Sequence, residues 1–287
     1  MNFSIETANR KVLSKSRLGR RLRGSIGLFP DFIIIGAQRS GTTSLFSYLR
    51  RNPFVLPAAT KEVSFFNSYR FHKRGLLWYR SRFPTVFQKH LDESIMKGRC
   101  LAGEATPDYI IDPRAPERIA KYIPGAKLIA ILRDPVARAY SQYQMNVRNQ
   151  TEVLPLEEAL EKEKERLGDE RERMVREPDY YSQKYNRYSY LLRGVYVNQL
   201  VDWFSHFPKE RILVTRAEDL FSDPRDFMKK ISQFLGIPFC ELDEYKRYNF
   251  HEYLPIKPGT IEKLREYFRP HNRSLYKLLG RDFGWGY

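Results

Sequence analysis

Two stretches of this chain carry residues whose types and spacing suit anion binding. In "FIIIGAQRSGTTSL", Phe32 to Leu45, four apolar residues run into Gly36, Gly41 follows, and two threonines come next. A glycine-framed loop between a buried strand and a helix aims backbone N–H groups at one point, and the helix dipole adds to that field. Arg39, Ser40, Gly41, Thr42 and Thr43 are the donors such a loop offers to a phosphate. The second stretch, "LRDPVARAYSQY", spans Leu132 to Tyr143. Arg133 leaves the end of an apolar strand, at the edge where open α/β sheets bind ligands. Ser141 lies about two helical turns later. This pair suits a second phosphate, distant from the first; taken alone, it also reads as a helix-capping arginine and a surface serine.

An ATP-binding loop places Lys where Thr42 stands here. The strand before Arg133-Asp134 resembles one that holds magnesium, but it ends in a cation beside the aspartate. Both features weigh against an ordinary NTPase or kinase. The five histidines show no metal-ligand spacing, so no metal is expected.

The elements that must position these residues follow from the apolar pattern. Phe32 to Ile35 is apolar throughout and reads as a strand buried on both faces. A helix follows from about Thr42 to Arg50, with Leu45, Phe46 and Leu49 on one face and Asn52-Pro53 as its stop. A second strand ends near Gly103, and a helix over "DPRAPERIAKYIP" stops at Pro124-Gly125. Lys127 to Leu132 is a third buried strand, followed by a helix from about Val136 to Val147. "RILVTRAEDL" is a fourth strand, and "DPRDFMKKISQFLGIP" a helix closed by Gly236. Short helices are expected in the aromatic, Arg-rich stretch up to about His90, an exposed charged helix over Leu156 to Arg176, and two short helices over "TIEKLREYFRPHNRSLYKLLGRDFGW". The repeated strand–loop–helix order predicts an α/β, P-loop-like three-layer fold with a central, mostly parallel sheet flanked by helices. Without internal repeats or low-complexity linkers, the chain divides into a basic N-terminal arm (1–28) and a single domain (29–287) with a charged helical insertion at about 153–180.

The balance of 50 Lys+Arg against 34 Asp+Glu in 287 residues favours anionic partners: nucleotides, acidic glycans, nucleic acid or an anionic membrane surface. Cys100 and Cys240 sit in no CxxC or metal-type spacing, which excludes a disulfide framework. No apolar run reaches the roughly 20 residues that span a bilayer, and no signal-peptide core is visible, so a soluble, cytoplasmic protein is expected. The basic arm "NRKVLSKSRLGRRLRG" reads as solvated or weakly helical, or as a contact for a peripheral membrane surface or polyanion.

Together these motifs resemble the PAPS-dependent sulfotransferases, in the heparan-sulfate and carbohydrate branch and its soluble bacterial members. "QRSGTTSL" is similar to that family's 5′-phosphosulfate loop, and "RDPVARAYSQY" to its 3′-phosphate motif with Arg133 and Ser141 in the gripping positions. "KEVSFF", "GEATPDY" and "YFRPHNRSLYKLLGRDFGW" extend the resemblance from about Asp31 to Trp285. Arg39 stands where heparan-sulfate enzymes have Lys and where tyrosylprotein and some carbohydrate enzymes have Arg. The resemblance implies a metal-free transfer in which one cation at the bridging oxygen stabilises the leaving phosphate. It implies Glu62 as the general base that takes the acceptor proton. It also implies Glu104 and Thr106 at the edge of the acceptor cleft, and Lys257, Gly259 and Thr260 as a late loop closing over the nucleotide. The tyrosines from Tyr180 to Tyr190, Tyr188 among them, suit stacking on a sugar face or adenine, or packing in the core.

The resulting expectation is an O-sulfotransferase that uses PAPS, releases PAP and acts on a hydroxyl-bearing acceptor, a glycan or glycolipid in preference to nucleic acid. Two alternatives stay open: a small-molecule kinase using ATP and magnesium, and a non-enzymatic module that binds polyanions.

Overall fold

The computed structural model of the protein describes residues 17–68, 70–249, 251 and 253–286. Residues 1–16, the larger part of the basic arm, lie outside the described residues. Five parallel strands form one sheet: β1 (Phe32–Gly36), β2 (Val55–Pro57), β3 (Leu101–Ala105), β4 (Lys127–Leu132) and β5 (Ile212–Arg216), in the spatial order β2-β3-β1-β4-β5. The strongest apolar run, β1, sits at the centre with β3 and β4 on either side.

Successive side chains of a strand face opposite ways, and β1 and β4 divide their residues accordingly. Ile33, Ile35, Leu128, Ala130 and Leu132 enter one core, with Tyr109, Leu200, Trp203 and Leu275. Phe32, Ile34, Ile129 and Ile131 enter the other, with Leu45, Phe46, Leu49, Leu220, Phe227 and Ile231. Helices therefore cover both faces, as expected for a three-layer α/β fold. Packing between β1 and β3 is close: a Cβ added at Gly103 would lie 2.1 Å from Phe32 Cζ.

Helix α1 (Arg17–Ile26) is tied to the body through Arg80, whose Nε donates to the Gly27 carbonyl at 2.7 Å. Helix α2 (Thr42–Leu49) follows the loop after β1. Helix α3 (Arg70–Arg80), broken at Gly75 with φ 71°, and α4 (Val86–Met96) fill the aromatic, Arg-rich stretch. Helix α5 (Ala115–Tyr122) returns the chain to β4, and α6 (Pro135–Arg148) leaves it. The cap of α6 is Asp134, which accepts from the Val136 and Ala137 amides at 2.8 and 3.2 Å.

Four features differ from the expectations. Strand β2 appears where none was foreseen; it has three residues, ends in Pro57 and lies on the sheet edge, where a missing N–H is tolerated. Strand β3 continues past Gly103 to Ala105. The charged stretch is not one exposed helix but three short ones, α7 (Leu156–Glu161), α8 (Glu163–Leu167) and α9 (Glu170–Arg176). Gly168, at φ 46°, interrupts them, and Ala159, Glu163, Leu167 and Met174 point inward. Glu163 accepts from the Leu191 and Leu192 amides at 2.6 and 2.9 Å, so it docks the next segment rather than facing solvent. That segment contains α10 (Gln183–Tyr188) and leads to α11 (Tyr196–His206). Beyond β5 come α12 (Ala217–Ser222) and α13 (Pro224–Leu235). Finally, the two short C-terminal helices are one, α14 (Pro258–Leu279), which runs through Pro270. An interior proline costs about 3 kcal/mol; here it lies between buried Phe268 and Asn272, on a helix whose Leu264 and Leu275 are also buried. Among the described residues no helix is long and apolar enough to cross a membrane.

Candidate active site

The loop after β1 is held at both ends. Ala37 N–H donates to the Ile131 carbonyl at 2.7 Å, which fastens the loop to β4, and Ser40 N–H donates to the Ala37 carbonyl at 3.2 Å. Gly41 has φ 88° and stands at the N-terminus of α2. A Cβ there would meet Leu220 and Phe221 at 2.9 and 3.0 Å, so glycine is required twice over. Ser40 is fully buried, and its hydroxyl has no partner within the protein.

Around this loop lies a cavity of about 100 Å³ lined by Arg39, Gly41, Thr42, Thr43, Arg133 and Ser141, together with Phe221, Arg247, Tyr248, Asn249, His251 and Tyr253. Arg39 spans it. Its guanidinium donates to Ser141 Oγ at 3.0 Å and to the Tyr253 hydroxyl at 3.1 Å. Arg133 donates to the Arg39 carbonyl at 3.1 Å, which joins the two sequence motifs directly. Arg247 lies 3.9 Å from the centre of the Phe221 ring, and Arg133 lies 5.9 Å from it. Burial pulls both Arg39 and Arg133 below the ordinary guanidinium range. Arg133 adds to the effect on Arg39, and Arg247 to the effect on Arg133, while Glu218 pulls Arg133 the other way. Three crowded, partly desolvated cations favour an anion that would neutralise them. A wider open cleft of about 630 Å³ adjoins the cavity and shares Arg133, His251 and Tyr253 with it.

The segment from 246 to 253 escaped the sequence reading. It straps the loop and α2 in place. The Tyr48 hydroxyl donates to the Lys246 carbonyl at 2.9 Å, Tyr248 N–H to Ser44 Oγ at 3.0 Å, and Asn249 Nδ2 to Thr43 Oγ1 at 3.3 Å. The available signal was the irregular stretch between Gly236 and α14, long for a connection in a compact fold and rich in cations and aromatics.

Glu62 does not line this cavity. It stands at the same sheet edge, beyond β2, with its N–H donating to the Ala105 carbonyl at 2.9 Å and its carboxylate paired with Lys61. Half of its side chain is exposed. Glu104 and Thr106, by contrast, lie below the surface rather than at the cleft edge. The Glu104 carboxylate accepts from the Tyr79 hydroxyl, from Thr106 Oγ1 at 2.8 Å and from the Tyr109 hydroxyl at 3.3 Å. Burial pushes its pKa up to about 7, against the opposing pull of these three hydroxyls. A fully enclosed carboxylate with three partners does not reach an acceptor.

Lys257, Gly259 and Thr260 are not among the residues lining the cavity; they form the start of α14 and its cap. Thr260 Oγ1 donates to Glu157 at 2.8 Å, and Lys257 pairs with the same carboxylate at 3.6 Å. Tyr188 is engaged in packing: its hydroxyl donates to the Thr151 carbonyl at 3.2 Å, and Arg166 lies 4.6 Å from the centre of its ring. Tyr185 and Tyr190 are buried. Among the described residues no three His, Cys, Asp or Glu side chains gather as a metal site would require.

Residues 29–252 match the sulfotransferase domain family model. The chain is 30% identical to human heparan sulfate glucosamine 3-O-sulfotransferase 6, over 90% of its own length and 74% of that protein. It is 27% identical to the membrane-associated sulfotransferase kil1 of Dictyostelium discoideum, over 92% of its own length and 68% of that protein. The fold superposes on a sulfotransferase from Alicyclobacillus acidocaldarius with a TM-score of 0.68 and 27% identity, covering 90% of this chain and 99% of that one.

Proposed function

The chain belongs to the sulfotransferase family, and we propose that it moves the sulfuryl group of PAPS in line to an acceptor hydroxyl on a carbohydrate or glycolipid. The observation that carries the donor assignment is the meeting of Arg39, Arg133 and Ser141 around a glycine-turned loop. The residues suit such a donor: the buried Ser40 hydroxyl lacks a partner, and Gly41, Thr42 and Thr43 at the start of α2 line the cavity, where a helix N-terminus favours an anion. The adjoining cleft brings the volume into the range of ligand pockets, about 300–1,000 Å³.

When bound, PAPS supplies an activated sulfuryl group whose leaving group is a phosphate. In this reading the amides of the loop, with Ser40, Gly41, Thr42 and Thr43, hold the 5′-phosphate. Arg39 stabilises charge developing at the bridging oxygen; as a guanidinium it stays charged and acts by electrostatics rather than by donating a proton. Arg133 and Ser141 hold the 3′-phosphate, and Arg247 joins them as a third cation. Glu62 accepts the proton of the attacking hydroxyl. A carbohydrate acceptor is supported by the glucosamine named for the human relative. The reading includes a single catalytic domain from residue 29, a cytoplasmic setting, and contact between the basic arm and a membrane surface or polyanion.

Calorimetry of the purified protein with PAP, 5′-AMP and ATP–magnesium tests the donor site. Tight PAP binding with weak AMP binding and no preference for ATP is expected. ATP–magnesium binding better than PAP would make the loop a triphosphate site and turn the assignment toward a kinase. Salt-sensitive polyanion binding without any nucleotide preference would favour a binding module.

A further inference from the structure

The backbone that carries Glu62 is unusual. Glu62 and Ser64 have φ values of 61° and 49°, in the left-handed region that disfavours residues with side chains. Strand β2 ends at Pro57, before this segment begins. Their partners come instead from the exit of β3. Glu62 N–H donates to the Ala105 carbonyl at 2.9 Å, Ser64 N–H to Thr106 Oγ1 at 3.3 Å, and Phe65 N–H to the Tyr109 hydroxyl at 3.0 Å.

A hydroxyl that accepts from an amide must send its own proton elsewhere. Both hydroxyls send it to Glu104: Thr106 Oγ1 to Oε2 at 2.8 Å and Tyr109 to Oε1 at 3.3 Å. The Tyr79 hydroxyl donates to Oε1 as well, and all four side chains are buried. The ionised carboxylate is the side chain suited to this place, since in that form it offers two acceptor oxygens and no donor. Glutamine would set an N–H₂ group against one of the hydroxyls; that hydroxyl's own proton then loses its acceptor, and the hydroxyl must reorient away from the geometry that meets the amide of the Glu62 segment.

We propose that Glu104 is a positioning residue for Glu62: its carboxylate orients the Thr106 and Tyr109 hydroxyls, and these hold the 62–65 backbone that presents Glu62. The proposal rests on the reading of Glu62 as the base, but the hydrogen-bond relay can be tested separately.

The experiment compares the full chain with Glu104→Gln and Thr106→Val, the second keeping the β-branched shape and removing only one link. With PAP bound, amide exchange at Ser64 and Phe65 is expected to rise at least tenfold in Glu104→Gln, and at Ser64 in Thr106→Val. PAP affinity should stay within twofold in both. Unchanged exchange at these amides would overturn the proposal. So would faster exchange shared equally by residues 37–42 with a parallel loss of PAP affinity, the mark of general loosening. In turnover with PAPS and heparan sulfate as the acceptor probe, Thr106→Val should lower kcat about tenfold at unchanged KM for PAPS. The same substitution in a Glu62→Gln background should change kcat less than twofold; an equal loss in both backgrounds would show that the Thr106 link of the relay does not act through Glu62 and would overturn the proposal. Intact turnover in Glu62→Gln alone would remove the base assignment, and the exchange measurement would still decide the relay.

Discussion

The loop after β1 and the segment after β2 stand at the same edge of the sheet and are held in opposite ways. The first takes its turn from its neighbours in sequence: the central strand enters it, α2 leaves it and Gly41 supplies the turn, while one hydrogen bond to β4, the Arg133 guanidinium and the strap fasten it in place. The second follows a three-residue edge strand and has two side-chain-bearing residues at positive φ. Its amides reach acceptors contributed by Ala105, Thr106 and Tyr109, some 40 residues away in sequence. The turn that shapes the loop is thus a local property of the chain, whereas the strap over it and the placement of Glu62 are tertiary ones. Substitutions on the two sides should separate donor affinity from turnover.

The largest effect is expected at Glu62. Glu62→Gln should lower kcat by at least about a hundredfold, on general-base grounds, while PAP affinity measured by calorimetry stays nearly intact. Unimpaired turnover would remove Glu62 from the mechanism and leave the donor side of the comparison standing. Arg133→Ala should act on the other side. Loss of a charged hydrogen-bonding partner is worth about 1.5–3 kcal/mol, so PAP should bind at least about tenfold more weakly. Adenosine 5′-phosphosulfate, which lacks the 3′-phosphate, should lose far less; equal losses for the two ligands would contradict the assigned contact.

The smallest effect concerns stability and lies away from both segments. Burial raises the Glu163 carboxyl to about 7, above its ordinary value. The native state therefore keeps a proton that the unfolded chain has already released, and this contribution to stability is lost as pH rises from about 4.5 through 7. Glu163→Gln should show a shallower decline in stability over that interval, followed by denaturant unfolding at several pH values. An identical slope in the variant would mean that Glu163 does not titrate there.

The difference between local and tertiary placement also explains what could be read from the residues alone. The central strands were legible because β1 and β4 are apolar throughout, and α6 and α13 because Asp-Pro starts and a Gly stop frame them. Strand β2 was not, being three residues long with a proline. The C-terminal stretch was expected as two short helices, because the burial of Phe268 and Leu275 that accompanies one continuous helix through Pro270 is not visible in sequence. Arg39, Arg133 and Ser141 stood out as motif positions, and they do line one cavity. Arg247 and Tyr253 did not, since the strap that carries them has no periodicity and its contacts span about two hundred positions. Glu104 was placed at the cleft edge on the resemblance alone, and only the fold brings three hydroxyls to it.

The strap also bears on the order in which the protein can be made. All five strands are complete once Arg216 has been synthesised, yet Tyr248, Asn249 and Tyr253, which pin Ser44, Thr43 and Arg39, come more than thirty residues later. Domains generally fold as units, and the core on one face of this sheet takes Leu275, Phe283 and Trp285 from the end of the chain. A nascent chain therefore cannot bury that face before those residues leave the ribosome, and by then the strap, which precedes them, has already emerged to close the cavity around Arg39.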